Sequence, residues 1–127
     1  MSEERKFFRC AICGQLVGVI QSGAGTLVCC GQPMSKLVPG ASDAAKEKHI
    51  PVVTRDGDLI RVRVGSVEHP MINEHYIQWI YVYTEKGGYR RALQPGEAPE
   101  AVFCMGGEEP IAVYEYCSLH GLWMNAL

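Results

Sequence analysis

Four cysteines crowd the first thirty residues. Cys10 and Cys13 lie in Phe7-Phe8-Arg9-Cys10-Ala11-Ile12-Cys13-Gly14, and Cys29 and Cys30 lie in Leu27-Val28-Cys29-Cys30-Gly31. Between them run a short β-type piece, Leu16-Val17-Gly18-Val19-Ile20, and a Gly23-Ala24-Gly25 turn. A stretch of about 30 residues cannot bury enough apolar surface to fold unaided, so it needs a staple. The charged start, Met1-Ser2-Glu3-Glu4-Arg5-Lys6, leads into no apolar signal core. That predicts a cytoplasmic chain, and in a reducing compartment clustered thiols bind metal more often than they form disulfides. Glycine after Cys13 lets backbone amides turn toward the sulfurs. Four thiolates suit tetrahedral zinc or iron, and the spacing leaves that choice open. The adjacent pair Cys29-Cys30 departs from the two-residue spacing of zinc ribbons and predicts a strained tetrahedron.

The imidazoles sit elsewhere. His49, His69, His75 and His120 all follow the cysteine-rich head. A chain of 127 residues holds one ordinary domain, or a small one and a medium one. Residues 38–46, Val38-Pro39-Gly40-Ala41-Ser42-Asp43-Ala44-Ala45-Lys46, read as a linker entering a helical turn, with Ser42 or Asp43 as its N-cap. The boundary therefore falls between a head of residues 1–37 and a body of residues 38–127. With a net charge of −2, nothing points to nucleic acid or an anionic membrane as a partner. No apolar run approaches the roughly 18 residues of a transmembrane helix.

The body reads as short strands. Ile60 to Val64 alternates, which turns Ile60, Val62 and Val64 inward and Arg61 and Arg63 outward. His49 falls at a loop–strand junction before Ile50-Pro51-Val52-Val53. His69 stands in a proline turn, Gly65-Ser66-Val67-Glu68-His69-Pro70-Met71. His75 opens Tyr76-Ile77-Gln78-Trp79-Ile80-Tyr81-Val82-Tyr83, whose two apolar faces predict a central strand or one at a dimer interface. Tyr89–Leu93, Ala101–Cys104 and Ile111–Tyr116 are further strands. The fold class is mainly β: a metal-stapled head followed by an immunoglobulin-like antiparallel β-sandwich.

The last strand delivers Tyr116-Cys117-Ser118-Leu119-His120-Gly121-Leu122-Trp123. A thiol and an imidazole three residues apart can reach one ion, and further ligands can come from His49, His69 and His75. The bland reading makes Cys117 a buried strand thiol and His120 a turn residue. A set of four neutral imidazoles and one thiolate does not suit a closed structural zinc site, which takes four ligands. It suits an ion with an open position, such as iron cycling between ferrous and ferric states.

Two blocks of motif carry a family resemblance. Cys-x-x-Cys-Gly followed by Leu-Val-Cys-Cys-Gly-x-x-Met resembles desulforedoxin and the N-terminal domain of desulfoferrodoxin. The body resembles the superoxide reductase domain of desulfoferrodoxin and neelaredoxin. The matching motifs are Ala-Lys-Glu-Lys-His-Ile-Pro-Val, Gly-Ser-Val-Glu-His-Pro-Met, His-Tyr-Ile-Gln-Trp-Ile, Pro-Gly-Glu-Ala-Pro-Glu-Ala-Val-Phe and Glu-Tyr-Cys-Ser-Leu-His-Gly-Leu-Trp. The resemblance implies two mononuclear irons. One is held by Cys10, Cys13, Cys29 and Cys30. The other has His49, His69, His75 and His120 in the equator and Cys117 on the axis. It implies one-electron reduction of superoxide to hydrogen peroxide, with the head site as an electron store or relay. It assigns Lys48 to attracting the anion and delivering protons through water, and Glu47 to the sixth position once iron is ferric, both on one flexible loop. A small donor such as a rubredoxin and a homodimer follow from it. Cys104, left without a role, is expected to be a buried spectator. Two other classes stand beside this one: a non-catalytic electron-transfer or redox-sensing protein on the same sites, and a zinc-stapled structural module.

Overall fold

In the computed structural model, which describes residues 5–127, the chain divides into two units, Met1–Val38 and Pro39–Leu127, both built of antiparallel strands. The first holds β1 (Phe7–Arg9), β2 (Leu16–Gly18), β3 (Val28–Cys29), β4 (Gln32–Pro33) and β5 (Ser35–Lys36). They form a sheet in the order β2-β1-β5 and a separate β3–β4 hairpin. Strands of two or three residues offer little to pack. Among the described residues of this unit the buried apolar ones are Phe7 and Cys10, while Ile12, Ile20 and Val28 lie in solvent. The cysteine cluster is where its order has to come from.

The second unit is larger. It runs through a helical turn α1 (Lys46–His49) and then β6 (Pro51–Asp56), β7 (Leu59–Val64), β8 (Ile77–Thr84), β9 (Gly87–Ala92), β10 (Glu100–Cys104), β11 (Ala112–Cys117) and β12 (Gly121–Ala126). A three-stranded sheet, β10-β7-β6, faces a four-stranded one, β12-β11-β8-β9. The core draws Ile60, Val62, Val64, Ala101 and Phe103 from one and Ile80, Val82, Val113 and Cys117 from the other. Each fully buried Val or Ile contributes about 1.5–3 kcal/mol by leaving water, so this unit has a core of its own. The predicted alternation of β7 holds residue by residue, and β8 lies between β11 and β9 as a central strand. Among the described residues no helix is long and apolar enough to cross a membrane.

Four details differ from the sequence reading. Ser42 does not cap the helical turn. Its Oγ accepts from Ala44 N–H (3.2 Å), and Ala45 stands at the N-cap without a side-chain bond. His49 does stand just before a strand, but it ends a helical turn and not a loop, so Glu47 and Lys48 also belong to α1. Cys104 is exposed, not buried: Ala101 and Phe103 take the inward positions of β10, and the Cys104 thiol points at Asp58 Oδ2 (3.5 Å). Finally, β12 occupies residues where the sequence shows only a ligand-bearing turn.

Candidate metal centres

In the head, β1 ends one residue before Cys10, and the chain turns back at once. Gly14 N–H donates to Cys10 O (2.9 Å), and Gly14 has a positive φ that permits the reversal. Cys13 N–H then points at Cys10 Sγ (3.5 Å). On the other side Cys30-Gly31 is the two-residue turn of the β3–β4 hairpin, with positive φ at both positions, as a type I′ turn requires. That left-handed Cys30 is how two adjacent cysteines reach one point. The sulfurs of Cys13 and Cys29 lie 3.6 Å apart and those of Cys29 and Cys30 4.0 Å apart. Four sulfurs at a metal–sulfur distance of about 2.3 Å stand about 3.8 Å apart along the edges of a tetrahedron. The four ligand atoms all lie within 4.8 Å of one another.

Charge tells the same story. The Cys13 amide, helped by that of Ile12, lowers the Cys10 thiol to about 6. The neighbouring sulfurs of Cys13 and Cys10 push Cys29 up to about 12, and raise Cys30 as well. By itself the cluster accepts one negative charge readily and resists more. A cation at the centre removes that conflict. Cys10 is buried while Cys13 and Cys30 are exposed, so one edge of the cluster faces solvent.

In the second unit, the four imidazoles come from three places. His49 ends α1, His69 and His75 flank the turn between β7 and β8, and His120 sits in the three-residue hairpin between Cys117 and Gly121. Successive ring centroids lie 4.7 Å (His49–His69), 4.6 Å (His69–His75), 5.0 Å (His75–His120) and 4.9 Å (His120–His49) apart, with neighbouring planes 78–86° from one another. Across the ring His49 and His75 are nearly parallel, at 6.4 Å and 26°. This is a nearly flat square of edge-on rings.

Second contacts fix which nitrogen looks inward. His49 Nδ1–H donates to Ala45 O and His69 Nδ1–H to Pro70 O, both at 2.7 Å. Their Nε2 atoms then carry lone pairs, and these face each other at 3.2 Å. His120 turns its Nδ1 inward, 3.1 Å from His49 Nε2. His75 Nε2 is buried with no hydrogen-bond partner. Inward lone pairs without hydrogens between them repel unless a cation lies at their centre. Nitrogens bound at about 2.1 Å and at right angles would stand about 3.0 Å apart. Cys117 Sγ is 3.4 Å from His69 Nε2 and 3.8 Å from His120 Nδ1. The ligand atoms of His49, His69, His75 and Cys117 all lie within 4.8 Å of one another. The donor set fits a soft-to-borderline transition ion such as iron, with one sulfur and a ring of imidazoles.

Local structure holds the thiol. The pairing of β11 with β8 shifts between Tyr116 and Cys117, so a bulge sits next to this ligand. His120 N–H points at Cys117 Sγ (3.4 Å). Burial raises the Cys117 thiol and the amides of His120 and Leu119 pull it back. Ser118 ties the hairpin to the strand after His75: its N–H donates to Tyr76 O and its Oγ accepts from Tyr76 N–H, both at 3.0 Å. Trp123 stacks on His49 (4.9 Å, 30°) and donates Nε1–H to His120 O (3.2 Å). Neither Ser118 nor Trp123 was singled out from the sequence; a tryptophan three residues after a candidate ligand is the signal that pointed there. Glu115 is fully buried two residues before Cys117 with neither oxygen paired, and desolvation holds its carboxyl protonated far above the usual range.

Desolvation lowers His49 and His75 and takes His69 down to about 4, keeping all three neutral as ligands must be. The other imidazoles add to this, and after them Lys48 does so for His49 and His75. Its ammonium is therefore within electrostatic reach of two opposite walls of the site. Glu47 and Lys48 are both exposed. Neither side chain is hydrogen-bonded to a ligand atom.

Residues 41–126 match the family described as Desulfoferrodoxin, and residues 2–37 match Desulfoferrodoxin, N-terminal domain. A desulfoferrodoxin of Syntrophotalea carbinolica is 50% identical over 125 residues, covering 98% of each chain. One of Nitratidesulfovibrio vulgaris is 45% identical, covering 97% of each. Among solved structures, the superoxide reductase from Treponema pallidum superposes with a TM-score of 0.81 at 38% identity, covering 97% of this chain and 99% of that one. Both halves match in order and nearly end to end, so the likeness is not that of one shared domain: the chain belongs to the desulfoferrodoxin family.

Proposed function

We propose that the chain is a superoxide reductase, catalysing one-electron reduction of superoxide to hydrogen peroxide. The observation that carries this reading is the flat square of four imidazoles with a single buried sulfur beside it. Iron held there would supply the one electron, and two protons from solvent would complete the product. The protein's residues do the rest. His49, His69, His75, His120 and Cys117 would hold the iron, and the Cys117 thiolate would raise electron density at it, as thiolate ligands do elsewhere. Backbone carbonyls at Ala45 and Pro70 fix two of the rings in the ligating tautomer. Lys48 attracts the anionic substrate and relays protons through water. Glu47, on the same helical turn, would offer its carboxylate to the oxidised metal.

Cys10, Cys13, Cys29 and Cys30 hold a second iron, in the head of residues 1–37, with the sandwich of residues 38–127 carrying the reaction. The exposed edge at Cys13 and Cys30 supports a role in receiving or storing electrons. A rubredoxin-like donor, a cytoplasmic setting and a homodimer using the two-faced strand β8 complete the reading.

Metal content with oxidised and reduced spectra tests the iron account; a colourless protein with stoichiometric zinc would end it. Peroxide formed one for one with superoxide at the expense of a reductant separates an enzyme from an electron carrier. Release of dioxygen would mean disproportionation instead. Lys48→Ala is expected to slow the second-order reaction with superoxide by about tenfold at low salt and to flatten its ionic-strength dependence. Stopped-flow or pulse-radiolysis rates across a salt series check this, and an unchanged rate and slope would remove the steering role.

A further inference from the structure

A four-residue helical turn has no stability of its own, and α1 lacks a side-chain cap. Yet it carries Glu47, Lys48 and His49 in succession. The turn after β7 holds it in place. Val67 N–H donates to Glu47 O at 2.9 Å, and Ser66 Oγ–H donates to the same oxygen at 3.2 Å. The Glu47 carbonyl belongs to the planar peptide that joins Glu47 to Lys48, so clamping it fixes where the Cα atoms of both residues stand. Gly65 closes the clamp from the other side. A Cβ there would lie 2.7 Å from Glu47 O, 3.0 Å from Ile50 O and 3.2 Å from Lys48 C. All three are backbone atoms, which cannot swing aside as a side chain would. The same turn ends in His69, whose N–H donates to Val64 O (3.0 Å). One short turn is thus the template for a metal-binding ring on one side and for the Glu47–Lys48 peptide on the other.

We propose that Gly65 and Ser66 are positioning residues for superoxide reduction, acting through the Glu47 carbonyl to set where Lys48 is rooted beside His49. The inference rests on the reading that Lys48 steers the anion. Gly65 supplies the space that lets α1 lie directly on the turn. Ser66, with the Val67 amide, supplies the bonds that keep it there. The exposed Lys48 side chain remains free to move, but its point of attachment does not.

The test uses the iron-loaded full chain with Gly65→Ala, Ser66→Ala and Ser66→Thr, each alone and with Lys48→Ala. Iron content and the optical spectrum are recorded first, and then hydrogen exchange of the Val67 amide, which reads the clamp without reference to turnover. The expected result is full iron in both sites and exchange at Val67 about 3- to 10-fold faster in Gly65→Ala, the size of one weakened hydrogen bond. The second-order rate with superoxide falls by about 3- to 10-fold, with a flatter salt dependence. Ser66→Ala gives a smaller change of the same kind and Ser66→Thr restores it. On the Lys48→Ala background, Gly65→Ala produces no further loss. An equal loss on that background, or a loosened Val67 amide with unchanged rate and salt slope, overturns the inference while leaving Lys48 its role. A Lys48→Ala protein as fast as wild type sinks the steering reading itself. Should Gly65→Ala shed iron, the two Ser66 variants carry the same comparison, and no rate change between alanine and threonine overturns it.

Discussion

Cys117→Ser is expected to reduce superoxide reduction to background, a loss greater than the roughly 100-fold that removal of a ligand's supporting group can cost. A serine hydroxyl does not ionise at neutral pH, so the site loses the thiolate's charge and its polarisable donor together. The imidazole square keeps its carbonyl partners at Ala45 and Pro70, so some metal binding persists there. The head cluster draws on none of these residues, and its iron and colour should be unchanged. Superoxide consumption with peroxide yield, read beside the visible spectrum, checks both halves of the prediction. Activity surviving in an iron-loaded serine variant would show that the sulfur is not a required donor.

The second large effect concerns the head. Cys29→Ser is expected to lose one of the two irons and, with it, amide protection across β1 to β5. Phe7 and Cys10 are the buried apolar residues described there, against a sandwich core of twelve. Binding free energies of about 10–16 kcal/mol at structural sulfur sites exceed what so small a core can supply, so folding and metal binding are one event. The sandwich should keep its own iron and its direct reaction with superoxide. Metal stoichiometry and residue-resolved hydrogen exchange decide the matter. A head that stays protected without metal would show that its strands hold themselves.

Much of this was legible in the chain itself. The alternation from Ile60 to Val64 gives the inward and outward faces of β7 directly, because a strand has period two. The cysteine spacing and the motifs around each histidine point to the two donor sets the structure assembles. What the sequence does not carry is orientation. Which nitrogen of each ring faces inward depends on backbone carbonyls such as Ala45 O and Pro70 O, and the cyclic order His49-His69-His75-His120 depends on how three separate turns meet. Two departures had readable causes. Cys104 follows Ala101 and Phe103, so the period-two pattern already puts it outside. Ser42 bonds the amide two residues on, as serines in turns do, and so is unavailable to the helix that begins later. The reach of Cys29 and Cys30 to one centre has no signature in composition; it needs the left-handed backbone at Cys30.

The three-residue hairpin between Cys117 and Gly121 also sets how far this protein can drift in length. Cys117, His120 and Trp123 are keyed to one register, with Cys117 opposite Gly121 and Glu115 opposite Trp123. One inserted residue would turn every following side chain of β12 to the opposite face. The indole would leave His49, and the imidazole would swing off the square at the same stroke. Relatives that tolerate insertions elsewhere on the sandwich are therefore expected to keep this loop at constant length, whatever residues fill its middle.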